Sequence, residues 1–76
     1  MDVRKRVGVN LKRLRRDSGL SQEALAFESG LHRTYISGVE RGVRNPTVLV
    51  LEKIAAALKV PAAKLLEETL RRKKSR

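Results

Sequence analysis

Apolar residues recur along this chain at helical rather than alternating spacing, in short runs divided by glycine, proline and polar residues. From Val3 to about Asp17, Val7, Leu11, Leu14 and Arg15 share one face, while Arg4, Lys5, Lys12, Arg13 and Arg16 mostly face elsewhere. Gly19 ends that helix. A second begins after Ser21, a suitable N-cap, and runs from Gln22 to Ser29 with Leu25 and a neighbouring alanine inward, Phe27 to the side, and Gly30 as its stop. The third spans about His32 to Arg41 with Ile36 and Val39 inward, and Gly42 closes it. After the turn Val43-Arg44-Asn45-Pro46, Thr47 caps a fourth helix whose core stripe is Val48, Leu51, Ile54, Ala55 and Leu58. Pro61 opens a fifth through about Leu70, with Leu65, Leu66 and Leu70 as its apolar residues. The expected fold is all-α, a compact bundle of five helices, each too short to stand alone in water.

Length limits this bundle to one domain. Seventy-six residues allow a single modest core, so residues 1–70 read as that domain and 71–76 as a basic tail. With no Cys and one His, neither a disulfide framework nor a metal cluster is available, and no cofactor is expected. No apolar run reaches the roughly 18 residues of a membrane span, and no signal-peptide pattern follows the N-terminus, so a cytoplasmic protein with no membrane partner is expected.

Charge narrows the partner. Eighteen basic and eight acidic side chains leave +10, distributed as +5 over residues 1–44, zero over 45–70 and +5 over 71–76. A neutral segment between two basic ones suits an assembly region beside a surface for a polyanion. Few aromatics argue against a nonspecific basic protein for RNA or an anionic membrane, and no phosphate loop or activated nucleophile supports an enzyme.

The pair of helices from Gln22 to Arg41, joined at Gly30, has the layout of a helix-turn-helix, which a generic helical hairpin could share. The outer face of the third helix distinguishes them. With Ile36 inward, Thr34, Ser37, Gly38 and Arg41 point outward and Arg33 flanks them near the N-terminus. Small residues let a helix axis approach base edges in a major groove, and one long donor can reach guanine. Arg15 and Glu40 fall on apolar faces of the first and third helices, where unpaired charge is costly, so they are expected to form an ion pair.

Leu20-Ser21-Gln22-Glu23-Ala24-Leu25-Ala26, Gly30, the run Arg33 to Gly42, Arg44-Asn45-Pro46-Thr47, Ile54-Ala55 and Leu58 together resemble the phage repressor and Cro type of helix-turn-helix. Within that type they are most similar to small stand-alone regulators such as restriction-modification controller proteins. The resemblance implies a five-helix repressor-like DNA-binding domain that binds a palindromic operator as a homodimer. By position, it implies that Arg33, Thr34 and Ser37 read base edges, with His32 and Gly38 beside them. It also implies phosphate contacts from Gln22, Tyr35, Arg44, Asn45 and the helix start at Thr47, with Gln22 often bracing the recognition helix as well. Four positions depart from the pattern: His32 replaces the usual capping residue, Lys59 stands where glycine often ends helix four, and Leu49 and Val50 replace residues that are commonly polar.

Leu49 points about 160° away from Leu51, so it is expected outside the core. Leu65 and Leu66 exceed what one small core covers; one of them should face the core and the other a partner. Leu49, Leu65 and Leu66 are thus the candidates for a dimer interface. The leading function is sequence-specific regulation of transcription on double-stranded DNA. The alternative is an antitoxin that binds DNA with this fold and a toxin with another surface.

Overall fold

The structure is a computed structural model and describes residues 2–68. Four α-helices follow in order: α1 (Val3–Asp17), α2 (Gln22–Ser29), α3 (Arg33–Glu40) and α4 (Val48–Leu58), then a 3-10 turn over Ala62–Leu65. No strand occurs among the described residues. Asp2, Ser21 and Thr47 cap α1, α2 and α4 by accepting hydrogen bonds from the backbone N–H groups of Arg4, Ala24 and Val50. His32 makes no such bond for α3.

The helices meet on one core. Leu11, Leu25, Ile36, Val39, Ile54 and Leu65 are fully or almost fully buried, with Val7, Ala26, Leu51, Ala55 and Leu58 around them. Helix α1 packs on α3 and on the 3-10 turn, while α2 lies between α3 and α4. Gly30 takes a left-handed conformation, φ 74°, which turns the chain sharply from α2 into α3.

Three expectations need correction. The fifth helix is a short 3-10 turn in the described part, and the tail 71–76 together with Leu70 lies outside the described residues. Its backbone serves α1 instead: Asn10, fully buried, donates from Nδ2 to the carbonyls of Leu65 and Glu67 at 2.8 and 2.7 Å, and Arg6 donates to that of Leu66 at 3.1 Å. Carbonyls turned sideways to a neighbouring helix do not line up along an axis of their own. Val48, placed in the core stripe by spacing, is 78% exposed, because α4 turns its first residue outward beside the Thr47 cap. Leu65 belongs to the core and not to an interface; its partner in the pair, Leu66, is the exposed one.

Lys59 ends α4 in the left-handed region, φ 60° and ψ 41°, where its Cβ crowds the backbone. Its N–H bonds the Ala56 carbonyl and that of Val60 the Ala55 carbonyl, so the turn is closed despite that strain. Lys59→Gly should therefore stabilise the fold by about 1 kcal/mol, a rise of several degrees in Tm. A melting curve that stays put or moves down would show that no such strain is present.

Candidate nucleic-acid interface

Helix α3 presents Arg33 and Thr34 exposed and Ser37 half-buried, and its other side locks onto the core through Ile36 and Val39. Ser37 Oγ accepts from Arg41 Nε at 3.4 Å, so the hydroxyl stays at the rim of the face. Gly38 differs from expectation. It is buried, because the side chain of Arg44 lies across it.

Two groups of polar side chains organise this surface. The first runs from the core outward. Arg15 and Glu40 form the expected ion pair in bidentate form, Nε to Oε2 at 2.5 Å and Nη2 to Oε1 at 3.1 Å, with both side chains at most 10% exposed. Arg15 also donates to the Leu20 carbonyl at 2.9 Å, which ties the pair to the loop before α2. Burial pushes the Glu40 carboxyl up, but hydrogen bonds from Arg15 and then Gln22 outweigh it and hold the group below its ordinary value. The same bond to Glu40 raises the Arg15 guanidinium. Both are charged at neutral pH.

Gln22 continues the chain, donating from Nε2 to Glu40 Oε1 at 3.0 Å and accepting from Arg33 Nη1 at 3.4 Å. An ionised carboxylate only accepts and a guanidinium only donates, so a side chain between them must do both. A primary amide is the group that does so without adding charge. Arg33 is thereby linked, through Gln22, to the one buried ion pair among the described residues. The resemblance implies that Gln22 braces the recognition helix; the structure adds the two partners through which it does so, Glu40 and Arg33.

The second group joins Tyr35, Gly38 and Arg44. The N–H groups of Val43 and Arg44 donate to the Gly38 carbonyl at 3.0 and 3.3 Å, folding the loop back on α3, and the Arg44 guanidinium lies 5.5 Å from the centroid of the Tyr35 ring. Asn45 and Thr47 are exposed outside both groups, Thr47 occupied as the α4 cap. Leu49 is 65% exposed, as its angle predicts. Sequence reasoning missed Asn10 and Gly8, which hold α1 to its neighbours; Asn10 sits on the same face as Val7 and Leu11, a polar intruder in an apolar stripe that could have marked it.

A family model described as helix-turn-helix matches residues 11–65. The chain is 49% identical over 69 residues, 91% of its length and 90% of the relative's, to an HTH-type transcriptional regulator, y4dJ, of Sinorhizobium fredii. It is 47% identical over 66 residues to the control protein C.SmaI of Serratia marcescens, covering 87% of this chain and 79% of that one. Among solved structures it resembles the restriction-modification controller protein C.AhdI from Aeromonas hydrophila, with a TM-score of 0.80 and 47% identity over 82% of this chain and 94% of that one. No helix of the described residues is long and apolar enough to cross a membrane. The chain belongs to the helix-turn-helix family of DNA-binding transcriptional regulators, with restriction-modification controller proteins among its relatives.

Proposed function

We propose that the protein binds a palindromic operator in the cytoplasm as a homodimer and lays α3 in the major groove. Arg33, Thr34 and Ser37 contact base edges, and Gln22, Tyr35, Arg44, Asn45 and Thr47 grip the flanking phosphates. Exposed Leu49 and Leu66 are the residues through which a second copy pairs, bringing two recognition helices about 34 Å apart, one turn of the duplex. The excess of basic side chains supplies attraction to any duplex and a steep loss of affinity with salt. Every relative reported above is a regulator or a control protein, which favours this reading over that of an antitoxin.

The observation that carries the proposal is Arg33 itself: an exposed guanidinium at the start of α3, braced by Gln22 rather than free in solvent. Bidentate pairing of such a group with guanine contributes about 1–3 kcal/mol of discrimination. Selection of bound duplexes from a random pool should return a two-fold symmetric consensus. Arg33→Ala should then flatten the preference at one base of each half-site while leaving binding to unrelated duplex, and its salt slope, nearly unchanged. An equal loss on all sequences would assign Arg33 to phosphate instead.

A further inference from the structure

Gly38 has no conformational reason to be glycine. It sits inside α3 with an ordinary helical backbone and not in the left-handed region, and glycine is a poor residue for a helix interior. Space explains it. A Cβ added there would stand 2.6 Å from Arg44 Cγ, 3.3 Å from its Nε and 3.5 Å from its Cδ. The first separation is far inside van der Waals contact, and Cγ lies too near the backbone to step aside while the rest of the side chain stays. The backbone of Arg44 is fixed at this place by the bonds from Val43 and Arg44 to the Gly38 carbonyl. Beyond Gly38 the guanidinium reaches the Tyr35 ring at a distance suited to cation–π attraction.

We infer that Gly38 and Tyr35 form a seat that presents Arg44 to DNA: the missing side chain lets the arginine stem cross α3, and the ring holds its guanidinium beside the recognition face. Arg44 comes from the loop after the helix-turn-helix, yet the seat makes it part of the same rigid surface as Arg33. An arginine ordered in the free protein loses less freedom when it binds, which raises affinity without adding a contact. Gly38 is in this account a positioning residue and touches no base. The inference rests on Arg44 contacting DNA, as proposed above.

The test reads the seat in the free protein and its effect on DNA. In the wild type the Arg44 δ-protons should be displaced from their random-coil NMR positions by the Tyr35 ring current. Tyr35→Phe should keep that displacement, and Tyr35→Leu and Gly38→Ala should lose it. On the duplex recovered by selection, Gly38→Ala should weaken binding several-fold, less than Arg44→Ala, and should add no further loss once Arg44 is alanine. Its Tm should not fall, since alanine is the better helix former. Random-coil Arg44 signals in the wild type, wild-type affinity in Gly38→Ala, or additive losses in the double variant would each overturn the seat. If Arg44→Ala binds the duplex as well as the wild type, the seat fails while the DNA-binding reading survives. If the wild type recovers no duplex at all, that reading fails too.

Discussion

Glu40→Leu is expected to cost about 3–5 kcal/mol, because it leaves the Arg15 guanidinium, with its side chain 10% exposed, without a counter-charge in the core. For a domain of this size that is a large share of total stability. Replacing both partners, Arg15→Met with Glu40→Leu, should recover most of the loss, since the penalty comes from stranding one charge rather than from removing the pair. Urea unfolding at pH 7 measures both. A Glu40→Leu loss below about 1 kcal/mol would mean that the buried pair does not hold α3 against α1.

The same pair predicts a pH dependence. The folded protein holds the Glu40 carboxyl below its ordinary value of 4.5, so the unfolded chain takes up that proton more readily. The contribution of the pair is thus complete above about pH 4.5 and is lost as pH falls through the lower folded value. Between pH 5 and 3 the wild type should lose stability more steeply than the Arg15→Met/Glu40→Leu variant. Asp2, also held low by Arg4, titrates alike in both proteins and leaves the difference to Glu40.

Much of this arrangement is legible in the residues alone. The end of α1 follows from Gly19, both ends of α2 from Ser21 and Gly30, and the start of α4 from Thr47, since caps and stops act locally. The Arg15 and Glu40 pairing followed from two charges on apolar faces. What escaped depends on groups far apart in the chain. The carbonyls of residues 65 to 67 are claimed by Asn10 and Arg6 of α1, a competition that the Leu and Ala pattern after Pro61 does not register. Helical angle alone places Gly38 outward as an open, groove-facing position; the arginine that covers it arrives from a loop with no periodicity to read. The link from Gln22 to Arg33 needs the angle between α2 and α3, which no spacing supplies.

Gly8→Ala should act against the usual rule for helices. In an exposed helix interior this change stabilises by about 0.5–1 kcal/mol. Here the new Cβ would stand 2.5 Å from the Glu40 carbonyl oxygen, 2.6 Å from that of Val39 and 2.9 Å from the Glu40 carbonyl carbon. All three are backbone atoms of α3, so no rotamer relieves the clash and α1 must move away from the recognition helix. That movement would stretch the Arg15 to Glu40 bonds, which join the same two helices. Overpacking of this kind costs about 1–3 kcal/mol or more after the helical gain is subtracted, a fall in Tm of roughly 4–8 °C for each kcal/mol. Gly38→Ala is the internal control. The same methyl, also in a helix interior, meets there a side chain that can leave rather than a backbone that cannot. The two variants should separate two reasons for a helical glycine: Gly8→Ala should lower Tm, and Gly38→Ala should keep Tm and lose affinity for DNA. A Gly8→Ala protein as stable as the wild type would show that α1 and α3 do not approach this closely.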